Sequence, residues 1–175
     1  MVTFTRDNKL TAADIRETAQ KLLQYVSVSD LKVTERQEVD YYLADNRVYR
    51  EVVEKLPKED KFDTDGNRLP ESKIYKAAVE SIDPSQLGYT DEEKRNIALF
   101  SQMNAVPNFS TGTIQTDDLT TEQVATIASI GKELPGISIS TSWNRKVMET
   151  SLASIVGHIS TEKTGLKAEE ADEKV

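Results

Sequence analysis

The stretch TERQEVDYYLADNRVYREVVEKLP, residues 34–57, carries the strongest fold signal in this chain. Its apolar side chains recur every three or four positions, which places them on one face of an α-helix; they are Val39, Tyr42, Leu43, Tyr49, Val52, Val53 and Leu56. Pro57 lacks a backbone N–H and ends the pattern. We predict one continuous helix over this stretch, with a break near 44–47 as the alternative because Asp45 and Asn46 are weak helix formers.

The same spacing recurs along the chain on both sides of this stretch. It predicts further helices over 12–27, over 71–81, from Thr90 to about 104, from Thr120 to the Leu-Pro-Gly at 134–136, and from about Ser142 onward. Residues 136–141, GISIST, alternate like a strand but are too short to imply a sheet. The fold class predicted is therefore all-α, a bundle of five or six helices. We expect one helical domain over 1–160 and a charged, solvated tail over 161–175.

The segment FDTDGNRLPESK, residues 62–73, raises the question of a metal site. With glycine at the sixth position of a calcium-binding EF-hand loop, Asp63, Asp65 and Asn67 would supply oxygen ligands. The first and twelfth positions would then be Lys61 and Ser72, which lack the required carboxylates. The calcium site at Asp63, Asp65 and Asn67 is therefore the weaker alternative, and no metal is predicted.

A tight turn explains the same segment more simply. Asp65-Gly66 is a dipeptide that hairpin turns prefer. Pairing outward from it sets Asp63 opposite Arg68 and Phe62 opposite Leu69, so that opposite charges meet and two apolar side chains meet. The sequence therefore predicts a minor β-hairpin around 62–69.

Composition excludes several classes of function. The 175 residues include 22 Lys and Arg against 30 Asp and Glu, a net charge of −8, which disfavours binding to a nucleic-acid backbone. There is no cysteine, so disulfides and thiolate ligands are absent. The sequence as given shows no signal peptide or transmembrane segment, so we expect a soluble chain without membrane insertion and assign it no compartment.

Catalytic patterns are sparse in this sequence. His158 is the one histidine, which excludes zinc sites built from several His or Cys ligands, and we interpret it as a boundary residue bonded to a neighbour. No nucleotide-binding loop or nucleophile elbow is present, and no cofactor is predicted. Carboxylates from separate helices could still form an acid–base pair if one had a raised pKa.

Two regions are candidates for contact with a protein partner. Tyr41 and Tyr42 are adjacent on the predicted helix, and an exposed tyrosine joins a large apolar ring to a hydrogen-bonding tip. The wide apolar stripe of the helix nevertheless favours burial of both against the core. Residues 105–119 lack periodicity and are predicted to form a long functional loop. Its candidate contact residues are Asn108, Phe109, Asp117 and Asp118.

These observations favour a non-enzymatic structural or adaptor subunit that acts through protein–protein contacts in a larger assembly, such as a virion or a secretion-type complex. Its partner would be another protein or a second copy of the chain in a homo-oligomer. The alternative is a carboxylate-dependent hydrolase or lyase with its site in a helical cleft.

Overall fold

The computed structural model describes residues 1–140, which form six α-helices and three short strands. In chain order these are β1 (Val2–Thr5), α1 (Ala12–Leu22), α2 (Glu35–Leu43), α3 (Asn46–Lys55), α4 (Glu71–Glu80), α5 (Asp91–Asn104), β2 (Thr111–Ile114), α6 (Thr121–Ser129) and β3 (Ile137–Ile139). The helix predicted from Ser142, His158 and the tail over 161–175 lie outside the described residues. The division at residue 160 stays a prediction.

Four of the helices begin at a threonine that caps them. At Thr11, Thr34, Thr90 and Thr120 the hydroxyl accepts the backbone N–H three residues on, and the side chain at that third position accepts the backbone N–H of the threonine. This reciprocal arrangement satisfies two backbone donors that a helix start leaves without partners. It confirms the helix starts that the sequence predicts.

The prediction of one continuous helix over 34–57 is wrong. The chain forms two helices, with α2 ending at Leu43 and α3 beginning at Asn46. The Asp45 carboxylate accepts the backbone N–H of Arg47 at 2.9 Å and caps the start of α3. Asp45 is therefore the N-cap residue of a second helix, where its carboxylate accepts backbone N–H groups that would otherwise lack partners.

The structure contains a three-stranded antiparallel sheet in the order β2-β1-β3, so the all-α prediction is wrong in this respect. Strand β1 is central, and Val2 pairs with Ile114 of β2 on one side and with Ile139 of β3 on the other. Val2 and Phe4 on one face of β1 are buried, as alternation in a strand requires. The chain is helix-rich as predicted, but it carries a small sheet, and the predicted loop over 105–119 contains β2.

The turn before β3 depends on Gly136. Its φ is +82°, and its carbonyl oxygen accepts the backbone N–H of Thr5 at 2.8 Å. A Cβ added here would overlap the Thr5 carbonyl oxygen and would approach Cε2 of Phe4 to 2.8 Å. Glycine therefore allows β3 to lie close to the central strand.

The segment over 62–69 forms a turn with a different register from the one predicted. One isolated antiparallel bridge joins Phe62 to Arg68, where the sequence predicted that Phe62 would face Leu69. The Asp63 carboxylate accepts the backbone N–H groups of Asp65 and Asn67 at 2.9 and 2.8 Å. These local bonds close a three-residue loop over 64–66, one residue longer than the predicted two-residue turn at Asp65-Gly66.

Two groups of buried apolar side chains hold these elements together. The larger lies between the sheet and helices α1, α5 and α6, and its most buried members include Phe4, Ile15, Leu22, Ile97, Phe100, Met103 and Ile127. The smaller lies between α2, α3 and α4 and is formed by Val39, Leu43, Leu56, Ile74 and Ala78. Helix α5 packs on both α1 and α2 and so connects the two groups.

Candidate protein-contact site

The turn formed by residues 107–110, here called the Phe109 turn, presents an aromatic ring to solvent. The side chain of Phe109 is 76% exposed, more than that of any other large apolar residue among residues 1–140. Its φ is 62°, and it is the one non-glycine residue in that range with a positive φ. A bulky residue in this left-handed region costs roughly 1–3 kcal/mol relative to an unstrained backbone.

Backbone hydrogen bonds attach the Phe109 turn to the end of the central strand. The N–H of Phe109 donates to the carbonyl oxygen of Arg6 at 2.8 Å, and the N–H of Arg6 donates to the carbonyl oxygen of Ser110 at 3.0 Å. The N–H of Ser110 donates in turn to Pro107 at 3.1 Å. These three bonds fix the backbone of the turn in its strained conformation.

The Arg6 side chain holds the helix end that leads into this turn. Its Nη1 donates to the carbonyl oxygens of Asn104 at 2.7 Å and Val106 at 3.1 Å. Carbonyl groups at a helix C-terminus lack hydrogen-bond donors within the helix, and the Arg6 guanidinium is the donor here. Sequence analysis did not identify Arg6, because nothing in its local sequence indicates contact with residues about a hundred positions away.

An exposed and strained phenylalanine gives the fold nothing that glycine or asparagine would not give at lower cost. The ring buries little apolar surface in this structure, and its backbone geometry lowers stability. Asn108 is also exposed at the same turn. A rigid aromatic side chain held away from the surface is a feature of protein contact sites, because little conformational freedom is lost when a partner covers it.

The two adjacent tyrosines have different surroundings. Tyr41 is 3% exposed, and its hydroxyl accepts a hydrogen bond from Nε2 of Gln20 at 3.0 Å. The Cζ atom of Arg16 lies 4.3 Å from the centre of the Tyr41 ring. Tyr42 is half-buried beside the smaller core. Tyr41 is therefore a core residue in this structure and offers no free surface to a partner.

Asp117 and Asp118 follow β2, and their side chains have different surroundings. The Asp117 carboxylate accepts the backbone N–H of Ser29 at 3.1 Å and its hydroxyl at 2.7 Å. The backbone N–H of Asp117 donates to Ser27 at 2.8 Å, so this residue joins an extended segment after α1 to the sheet side of the domain. Asp118 is exposed.

The structure places the six predicted contact residues in three separate environments. Tyr41 and Tyr42 belong to the helical cores, Asp117 and Asp118 lie after β2, and Asn108 and Phe109 form the turn at the end of β1. Only the Phe109 turn combines an exposed apolar ring with a rigid backbone. We therefore treat it as the candidate site.

Residues 1–140 contain no cluster of candidate metal ligands and no acidic side chain with a clearly raised pKa. Within them no three His, Cys, Asp or Glu side chains are grouped as metal ligands. Asp63, the first residue of the calcium alternative, has its pKa lowered mainly by the backbone N–H of Asn67. Every acidic group in this range with a clear shift has a lowered pKa; these are Asp14, Asp45, Asp63, Glu71 and Asp83. A general acid needs the opposite shift.

Comparison with known families decides the identity of the domain. The family described as the penicillin-binding protein dimerisation domain matches residues 1–174. The chain belongs to this family. As a penicillin-binding protein dimerisation domain it is 63% identical over 172 residues to penicillin-binding protein 2B of Streptococcus pneumoniae strain D39, covering 98% of this chain and 25% of the relative.

More distant relatives and solved structures agree with this assignment. Penicillin-binding protein 2A of Bacillus subtilis is 24% identical over 167 residues, which cover 94% of this chain and 23% of the relative. The structure of penicillin-binding protein 2B from Streptococcus pneumoniae strain R6 has a TM-score of 0.66 and 59% identity, covering 89% of this chain and 23% of that one. The corresponding protein of strain 5204 gives a TM-score of 0.65 and 58% identity, with the same coverage. The chain thus spans about a quarter of the length of the curated relatives it matches.

These findings correct the functional predictions. The prediction of a structural or adaptor subunit of a virion or secretion-type assembly is wrong, because the relatives are penicillin-binding proteins. The alternative of a carboxylate-dependent hydrolase or lyase is wrong for the same reason. Helical periodicity and composition identify a helix-rich domain, but neither distinguishes among the kinds of protein that contain one.

The coarser prediction, that this domain makes protein–protein contacts, agrees with a family named for dimerisation. Within residues 1–140 no helix is both long enough and apolar enough to span a bilayer. The expectation that the protein does not insert into a membrane stays a prediction, as does the absence of nucleic-acid binding.

Proposed function

We propose that this dimerisation domain is the self-association module of a penicillin-binding protein that resembles penicillin-binding protein 2B. On this proposal, the penicillin binding for which that relative is named belongs to the rest of the protein, outside the quarter of the length that this chain matches. The observation that carries the proposal is the match to a family named for dimerisation over residues 1–174, nearly the whole chain.

The Phe109 turn supplies the apolar anchor of this self-association. The turn is held by backbone bonds to Arg6 at 2.8 and 3.0 Å, so it needs no reordering when a partner binds. An aromatic ring that is 76% exposed has a large apolar area to remove from water. Asn108, exposed beside it, can donate and accept hydrogen bonds at the edge of the contact.

Sedimentation equilibrium of the 175-residue chain tests the first part of this proposal. We expect a reversible equilibrium between monomer and dimer, with the dimer fraction rising with concentration. Phe109→Gly should lower the dimer fraction because it removes the ring. A chain that remains monomeric at every concentration would contradict the proposed self-association.

Binding of a fluorescent penicillin tests where the chemistry resides. We expect the 175-residue chain to bind none, while Streptococcus pneumoniae penicillin-binding protein 2B, the positive control, binds it under the same conditions. Binding by the chain alone would show that this domain contains a penicillin site and would overturn its assignment as a contact module.

A further inference from the structure

An open cleft of about 510 Å³ lies between α1 and the junction of α2 and α3. Three arginines line it: Arg16 from α1, and Arg47 and Arg50 from the first turns of α3. In a chain whose net charge is −8, three guanidinium groups in one cleft are an unusual local concentration of positive charge.

The side chains of Arg47 and Arg50 form no hydrogen bond or ion pair within residues 1–140, although the charge of Arg47 contributes to the lowered pKa of Asp45. Each has a glutamate four residues further along the same helix, Glu51 and Glu54, at a spacing that favours ion pairs. Neither pair approaches to within 4.0 Å, and both arginines line the cleft with their side chains exposed. Both guanidinium groups are therefore available to an anionic partner.

The carboxylates that line the cleft already have partners of their own. Glu17 forms an ion pair with Nζ of Lys21 at 2.8 Å. The Asp45 carboxylate caps α3 through the backbone N–H of Arg47 and lies 4.0 Å from Nη1 of Arg16. Since both are engaged, the cleft leaves guanidinium donors in excess for a ligand with carboxylate groups.

Contacts between aromatic rings connect the cleft to an acidic surface at the start of α5. The ring of Tyr41, against which Arg16 packs, is 5.8 Å from the ring of Tyr89 in edge-to-face contact. Two residues beyond Tyr89, α5 begins with Asp91 and Glu92, both exposed. Neither carboxylate has an ion-pair partner within residues 1–140.

We propose that the arginine-lined cleft binds the acidic start of α5, Asp91 and Glu92, from a second copy of this chain. A two-fold axis places the same surface of both copies in contact, so neighbouring patches of opposite charge pair twice in one dimer. The proposal rests on the self-association proposed above and assigns its charged contacts. Such pairing orients two chains that otherwise repel each other through their net negative charge.

The Phe109 turn lies at the opposite end of α5 from these acidic residues, where Arg6 binds the carbonyl of Asn104. The 14-residue helix separates the two anchors by roughly 20 Å, given a rise of about 1.5 Å per residue. A stable interface covers about 800 Å² on each partner, which is wide enough to include two anchors at that distance.

A charge-swap experiment on the full chain tests the pairing. The first variant carries Arg47→Glu and Arg50→Glu, and the second carries Asp91→Lys and Glu92→Lys. Each variant alone should self-associate about tenfold or more weakly than the original chain, because like charges then meet. An equimolar mixture of the two should recover a heterodimer, because both contacts are again of opposite sign. Dimerisation of the original chain should weaken as salt is added.

A matched control has Lys58→Glu and Lys73→Glu, two exposed lysines outside the cleft that change the net charge by the same amount. We expect this control to dimerise more strongly than the first variant. Circular dichroism checks that each variant is folded. If a charge-reversed variant is unfolded, the neutral variant at the same positions replaces it, either Arg47→Gln with Arg50→Gln or Asp91→Asn with Glu92→Gln. The neutral variants should also self-associate more weakly than the original chain.

The outcomes separate the two proposals. If the original chain dimerises but the variants dimerise as well as it does, or the mixture recovers nothing, the charge pairing is wrong and self-association stands. If the original chain never dimerises, both proposals are wrong. Weakened variants and a recovered heterodimer support the pairing.

Discussion

The backbone N–H of Phe109 donates to the carbonyl oxygen of Arg6 over 2.8 Å, which attaches a strained, solvent-exposed aromatic residue to the end of the central strand. The strain lowers the stability of the isolated domain, and the ring, which is 76% exposed, contributes little burial to offset it. Fold stability does not account for this conformation, and on our proposal its role is contact with a partner.

Phe109→Gly should separate these two effects. We expect the free energy of unfolding to rise by about 1 kcal/mol because glycine adopts a positive φ without strain. Self-association should weaken at the same time, because the ring is lost. Phe109→Ala is the matched variant, since it loses the ring but keeps the strain. Denaturant unfolding and sedimentation equilibrium measure the two quantities, and a destabilised glycine variant would show that the ring supports the fold.

Arg6→Met should destabilise the domain by about 2 kcal/mol. The substitution keeps much of the side-chain volume but removes the two charge-assisted hydrogen bonds to Asn104 and Val106. Arg95→Met, at an exposed position on α5, the helix whose last carbonyl Arg6 binds, is the control and should change stability by less than about 0.5 kcal/mol. Urea unfolding of both variants gives the comparison, and equal effects would contradict the role of Arg6 at the end of α5.

Gly136→Ala should cost about 2 kcal/mol or more of unfolding free energy. The new Cβ would overlap the carbonyl oxygen of Thr5 and would force a residue with a side chain to adopt a φ of +82°. Gly131→Ala is the control, because nothing lies within 4 Å of its added Cβ. Thermal unfolding should show a large loss for the first variant only, and similar melting of the two would argue against this account of the turn.

Stability should fall steeply at alkaline pH. Burial raises the pKa of Tyr49 to about 12, with a further contribution from its hydrogen bond to Glu71 at 2.6 Å. Because the folded pKa exceeds that of the unfolded chain, this stabilisation is complete below about pH 10 and is lost as pH rises toward about 12. Burial also raises the pKa of Tyr89 to about 12.

Tyr49→Phe checks this pH dependence. The variant has no phenolic proton at that position, so its unfolding free energy should decline less than that of the original chain between about pH 10 and pH 12. Tyrosinate absorbance, followed in the same samples, reports which transition accompanies unfolding. Identical pH profiles for the two proteins would exclude Tyr49 as a contributor.

The helices were predictable from sequence because their signals are local. Thr11 and Asp14, three residues apart, specify a helix start without reference to the rest of the chain. The sheet was not predictable in this way, since Val2 pairs with Ile114 and Ile139, each more than a hundred positions away. Nothing in strands of three or four residues identifies partners at that distance.

The candidate site was predicted only as a region. Loss of periodicity over 105–119 indicated an unusual segment, and Phe109 was among its candidate residues. Its exposure depends on bonds to Arg6, which sequence spacing does not reveal. The arginine-lined cleft was missed because Arg16 and Arg47 lie on different helices, and only the break between α2 and α3 brings them to one surface. The family could not be recognised from any short motif.

The central position of β1 has a consequence for synthesis on the ribosome. The second edge of β1 is completed by β3, about 135 residues later, and at about 5–20 residues per second their synthesis takes roughly 7–27 seconds. During that time helices α1 to α5 can form from local contacts, while the edge of β1 that pairs with β3 has no partner. We expect the nascent chain to be most prone to aggregation during this interval, before β3 emerges.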